Sequence, residues 1–199
     1  MSDPFVAGLV LAAGGSRRLG QPKQLLPFRE ATLLDHTVAT ARACAFDQLL
    51  VAVGGDANEI RARVTLEGAE VVVNPGFGAG CSSSIAVAID ALDPAATVLV
   101  LMLGDQPGVV PDTVRALLAG RGDAPLAVCR YDDGRGHPFA FDRAVFDDLR
   151  GLHGDKAVWR MLDQRPEDVA EVPVAGPVPL DGDTWEDYEA VVAAAAGGG

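Results

Sequence analysis

The chain has 199 residues, the usual size of one domain, and 49% of them are hydrophobic, which excludes an intrinsically disordered protein. No apolar run reaches the ~18 residues of a membrane span, and the start, "MSDPFVAG", lacks the basic and apolar regions of a secretion signal, so the expected setting is cytoplasmic. A net charge of −12 opposes binding to nucleic acid or to anionic membranes.

Apolar runs alternate with helical patterns along the chain. Residues 5–12 predict a buried strand, followed by a glycine-rich loop. Residues 32–44, "TLLDHTVATARAC", place Leu34, Val38 and Ala41 on one helical face, with Thr32 and Asp35 in a capping-box pattern. "QLLVAVG" is a second strand, "ANEIRARVTLEG" a polar-faced helix and "AEVVVN" a third strand. "CSSSIAVAIDAL" is helical, with Ile85, Ile89 and Leu92 in register. "TVLVLMLGD" is the most apolar strand, "PDTVRALLAG" opens on Pro and closes on Gly as a helix does, and "APLAVCR" is a fifth strand. The C-terminal third is less regular: "GHPFAF", two helical stretches, a Pro-rich "VPVAGPVPLDGD" and a last helix from Thr184.

Strands this uniformly apolar are covered on both faces, which predicts an α/β chain with a mostly parallel sheet between two helical layers. There is no internal repeat and no long linker, so one domain is expected. Cys44, Cys81 and Cys129 are too far apart in sequence for a zinc knuckle or redox pair. They read as reduced structural thiols. Cys81 is the exception to watch, because a helix start would lower its pKa.

Charge is unevenly placed. From Asp163 onward there are nine acidic residues and one basic one, Arg165, whereas the first loop carries Arg17, Arg18 and Lys23 with no acid between them. A cationic spot on an acidic protein suits a small anion better than a polymer. Gly14, Gly15 and Gly20 let that loop turn tightly and present N–H groups to an anion. In an open α/β sheet, such a loop at the carboxyl end of a strand is where ligands bind.

Two familiar nucleotide loops fail here on specific residues. Gly15 and Gly20 have Walker A spacing, but Gln21 and Pro22 stand where Lys and Ser/Thr are required. The dinucleotide fingerprint needs G-x-G-x-x-G opening directly into a helix, but Gly14 and Gly15 are adjacent and the helical pattern starts only at Thr32. A third pattern fits. Leu11-Ala12-Ala13-Gly14-Gly15-Ser16-Arg17-Arg18-Leu19-Gly20-Gln21-Pro22-Lys23 resembles L-A-A-G-x-S-x-R-[ML]-G-x-x-K, the signature loop of the MobA-like nucleotidyltransferases. Five further blocks follow in the family's order. "GDQP" resembles the molybdenum cofactor cytidylyltransferase branch. "NPGFGAGCSSSI" resembles the family's nucleobase loop, "GRGHPFAF" and "GDKAVW" its acceptor elements, and "LDGDTWEDY" its D-x-D-T-x-x-D-Y element. Gly182 stands where the family usually has an apolar residue, which leaves open whether Asp181 or Asp183 is the ligand there.

The resemblance implies a three-layer α/β/α Rossmann-like nucleotidyltransferase fold. Its nucleotide half is expected at about residues 5–110 and its acceptor half at about 111–190. It implies that residues 11–16 (Leu11, Ala12, Ala13, Gly14, Gly15, Ser16), Arg17, Arg18, Lys23, Asn74, Gly80, Ser82, Ser83 and Ser84 bind the nucleotide. Lys23, Arg18 and Asp105 would be catalytic. Asp105 and Asp183 would hold Mg²⁺. Gln106, His137, Pro138 and Lys156 would face the acceptor. His36 and His153 lie in no matching motif. The implied reaction transfers CMP from CTP to molybdenum-molybdopterin, releasing pyrophosphate. The family's GTP-using relatives typically read L-A-G-G, so Ala13 favours CTP. A GTP-dependent enzyme, another acceptor such as a sugar phosphate, and a non-catalytic delivery protein are the alternatives. A client molybdoenzyme or its chaperone is the candidate macromolecular partner.

Overall fold

The computed structural model describes residues 3–16 and 18–197. Its strands and helices, in chain order, are β1 (Val6–Ala12), β2 (Pro27–Phe28), β3 (Ala31–Thr32), α1 (Leu33–Ala43), β4 (Gln48–Val53), α2 (Ala57–Arg63), β5 (Glu70–Val73), α3 (Cys81–Asp90), β6 (Val98–Leu103), α4 (Pro111–Gly120), β7 (Leu126–Arg130), β8 (Arg135–Asp142), α5 (Phe146–Arg150), α6 (Ala157–Gln164), β9 (Val169–Pro173) and α7 (Trp185–Gly197). Seven strands form one sheet in the order β5-β4-β1-β6-β8-β7-β9. Every neighbouring pair is parallel except those made by β8, which runs antiparallel to β6 and to β7. The strands β2 and β3 make a separate small ribbon.

Alternation along the central strands explains the three layers. Val10 and Ala12 of β1 join Leu34, Val38 and Ala41 of α1, Ile60 of α2 and Leu117 of α4 in one core. Ala7 and Leu9 of the same strand point the other way, to Ile85 and Ile89 of α3, Leu149 of α5 and Met161 of α6. Because both sets are buried, each central strand reads as a continuous apolar run. Burial of each such Leu or Ile is worth about 1.5–3 kcal/mol, far more than its strand or helix propensity.

The helix starts follow the residues. Thr32 accepts from Asp35 N while the Asp35 carboxylate accepts from Thr32 N, a capping box worth roughly 1 kcal/mol. Thr184 and Asp187 repeat the arrangement ahead of α7. Helix α2 ends at Arg63 rather than running on to Gly68 as the pattern suggested. Val64 is already extended, and Thr65 N is taken by the Asp35 carboxylate. That bond holds the Asp35 pKa low, since burial raises it but the bonds from Thr65 and Thr32 prevail.

Candidate functional site

The carboxyl ends of the parallel strands β1 and β6 open into a cleft of about 810 Å³. The first loop forms one wall. Ser16 sits at φ 42°, and its Oγ accepts from Lys23 N at 2.8 Å, which folds residues 16–23 back on themselves. Gly20 follows at φ 70°, a conformation glycine adopts without penalty. The buried Gln24 fastens the same loop: its Nε2 donates to Ala12 O at 2.9 Å and to Gly14 O at 3.1 Å. Nothing in the sequence marked Gln24, because its role depends on two carbonyls ten and twelve residues away.

At the foot of the cleft, Lys23 Nζ lies 2.6 Å from Asp105 Oδ2 and 2.6 Å from Asp183 Oδ1. Arg18 closes the set at 3.0 Å from Asp183 Oδ2. Asp105 follows β6 and is only 5% exposed, a position where an unpaired carboxylate would be very unfavourable. Lys23 offsets that charge. Burial alone would lower the Lys23 pKa, but the Asp105 and Asp183 carboxylates override it and raise it. The Lys23 hydrogen bond holds the Asp183 carboxyl low against the opposing effect of burial, helped by Arg18. Asp181 also lines the cleft and goes the other way: burial, then the charges of Asp105 and Asp183, push it up.

Among the described residues, no three His, Cys, Asp or Glu side chains are grouped to hold a metal ion. Asp105 and Asp183 nonetheless turn one oxygen each to a single cation, the Lys23 ammonium. Two hard carboxylate donors with the remaining positions left to phosphate and water are the donor set that Mg²⁺ or Mn²⁺ takes, so these residues fit such an ion.

The other end of the cleft is aromatic. The rings of His137 and Phe139 lie 4.1 Å apart, and both meet Trp159 edge-on. Burial drives the His137 pKa well below the ordinary histidine value, so the imidazole is neutral. Lys156 and Asp155 line the cleft beside it.

Of the residues implied by the resemblance, Leu11, Ala13, Gly14, Gly15, Ser16, Arg18, Lys23, Gly80, Ser84, Asp105, His137, Lys156 and Asp183 line one cleft. Ala12, Asn74, Ser82, Ser83, Gln106 and Pro138 are not among its lining residues. Asn74 Nδ2 donates to Ser83 Oγ and Ser84 Oγ, 2.8 Å each, so these groups bind one another. Gln106 donates to Pro179 O and pins the proline-rich segment. Arg17 lies outside the described residues. Cys81 does open α3, but its thiol is not activated: burial and the neighbouring Asp155 push its pKa up to about 11. Gln24 also lines the cleft, as do Phe77, Asp155 and Trp159, which lie within the quoted blocks but had no role of their own there.

The model of the MobA-like NTP transferase domain matches residues 8–169. The chain belongs to that family. It is 31% identical over 172 residues to nicotine blue oxidoreductase of Paenarthrobacter nicotinovorans, covering 82% of this chain and 84% of that one. The crystal structure of an Rv0371c homologue from Mycobacterium sp. strain JC1 is similar at TM-score 0.90 and 50% identity, over 96% of this chain and 97% of that one. The manganese complex of Rv0371c from Mycobacterium tuberculosis H37Rv aligns at TM-score 0.86 and 46% identity, over 95% and 98%. The MobA-like membership and the mostly parallel, three-layer sheet agree with the expectation from the first loop. No helix among the described residues is long and apolar enough to cross a membrane.

Proposed function

We propose that the protein transfers CMP from CTP to the terminal phosphate of molybdenum-molybdopterin, giving molybdopterin cytosine dinucleotide and pyrophosphate. The observation that carries the reading is the convergence of Arg18, Lys23, Asp105 and Asp183 at the end of the cleft beside Ala13. Backbone N–H groups of the glycine loop receive the triphosphate. An acceptor phosphate oxygen forms the new bond to the α-phosphorus, and the bond to the β-phosphate oxygen breaks in line. Lys23 and Arg18 offset the negative charge that grows on the transferring group. Asp105 and Asp183 would hold a divalent cation, Mg²⁺ by this reading, which would supply Lewis-acid chemistry at the phosphates. No protein nucleophile takes part. Neutral His137 and Lys156 meet the acceptor, with residues 111–190 forming its half of the site and Asp183 reaching back to the nucleotide half at 5–110. A cytoplasmic setting and a client molybdoenzyme go with this role.

The test is pyrophosphate release with Mg²⁺, molybdenum-loaded molybdopterin and each of the four NTPs. Release with CTP alone is the expected result. Release with GTP moves the donor assignment, and CTP binding without release makes the protein a carrier.

A second reading has one observation behind it, the 31% identity to a protein named an oxidoreductase. The cleft would then hold a nicotinamide dinucleotide. Oxidation of NADH or NADPH in place of pyrophosphate release would establish it, against the failed G-x-G-x-x-G fingerprint.

A further inference from the structure

Phe77 is a large apolar residue left open in the cleft. It is 37% exposed and opens a single turn of 3-10 helix, Phe77–Ala79. Its seat is unusual. A Cβ on Gly54 would fall 2.8 Å from Phe77 Cγ, and one on Gly55 would fall 2.8 Å from Cζ and 3.2 Å from Cε1. The ring therefore lies lengthwise along two residues that have no side chains, with its Cγ end at the first and its Cζ end at the second. That backbone covers part of the ring, and the residue, 37% exposed, lines the cleft with the rest. The same Gly54 position is 2.9 Å from Ala13 O, so the seat adjoins the first loop.

The polar residues around it fix the turn. Asn74 Oδ1 accepts from Gly76 N at 2.8 Å, and Asn74 Nδ2 donates to both serines. Ser83 Oγ donates onward to Gly80 O at 2.7 Å. Asn74 and Ser83 thus spend their hydrogen-bonding groups on each other, on Ser84 and on the loop backbone. The group they present is the aromatic ring.

We infer that the part of the Phe77 ring open to the cleft is the stacking platform for the nucleobase of the donor nucleotide, with Asn74 and Ser83 as positioning residues. The inference rests on the nucleotidyl-transfer reading. A planar heterocycle laid on an aromatic face is held by dispersion and by its quadrupole, with little demand on hydrogen-bond pattern. Recognition on this wall therefore comes from shape and ring area, and discrimination between bases is left to the Ala13 side.

Calorimetric titration of CTP and of inorganic tripolyphosphate, both with Mg²⁺, tests it. Phe77→Leu is expected to weaken CTP binding roughly ten- to hundredfold while tripolyphosphate binding stays at the wild-type level. Phe77→Trp should restore CTP binding. Gly55→Ala, which tilts the ring without removing it, should reproduce the selective loss. Wild-type CTP affinity in Phe77→Leu would overturn the platform alone, and an equal loss of both ligands would make Phe77 merely structural. A wild-type protein that binds tripolyphosphate but no nucleotide would remove the nucleotide reading and the platform with it.

Discussion

Lys23 Nζ lies 2.6 Å from the Oδ2 of Asp105, and its second short contact, to Asp183, makes the ammonium the cation between two carboxylates. By the reading above, the same carboxylates receive the metal, and the same ammonium is wanted at the phosphates. Metal and Lys23 then compete until nucleotide draws the lysine away.

Lys23→Met should therefore bind Mn²⁺ more tightly than wild type in the absence of nucleotide, by about tenfold. It should also lose roughly 10²–10³ in turnover. Electron paramagnetic titration of free Mn²⁺ reads the first effect and pyrophosphate release the second. Unchanged or weaker Mn²⁺ binding would show that the lysine and the metal do not share the position.

Asp105→Ala should abolish turnover while the fold survives, since Lys23 keeps Asp183 as its partner. Circular dichroism and pyrophosphate release check the two halves of that statement. Near-normal activity would remove the metal-ligand role.

Asp181 gives a pH-dependent expectation. Its pKa is raised in the folded protein, so its contribution to stability is full below the unfolded value and is lost as pH rises through the folded one. At pH 7 the ionised carboxylate works against folding. Asp181→Asn should raise the melting temperature of the metal-free protein by about 1–3 °C at pH 7. The gain should vanish below about pH 4, where Asp is protonated anyway. Thermal melts in chelator at the two pH values decide it. A gain that persists in acid would point to packing and not charge.

Ala13 lines the cleft at 8% exposure, so its methyl occupies space that a ligand could use. Ala13→Gly should admit a purine and gain GTP-dependent release. A variant still confined to CTP would count against steric exclusion as the basis of donor choice.

What the sequence made legible follows from which forces are local. The central strands could be read because both faces are buried, and Thr32 with Asp35 marked α1 because a capping box spans only four residues. The strand β9 escaped notice: it lies at the sheet edge and exposes Glu171 among apolar residues. The stretch "GHPFAF" gave no hint that β8 runs against its neighbours, since direction is set by connection and not by composition. Within the cleft, Lys23 and Asp105 stood out because a cation in a glycine loop and an acid at the end of an apolar strand are costly without a purpose. Phe77 did not, because its meaning comes from Gly54 and Gly55, more than twenty positions away.

Asp155 Oδ1 accepts from Cys81 N at 3.0 Å, so a residue 74 positions downstream supplies the N-terminal cap that Gly80 cannot. The turn carrying Lys156 and the helix behind Phe77 are thereby clasped by one bond. Any widening of the cleft that parts them leaves the first amides of α3 open to water. The speed at which those amides exchange hydrogen for deuterium is then a clock for the breathing of the cleft. It runs without substrate or turnover, and it slows when a ligand locks the two walls together.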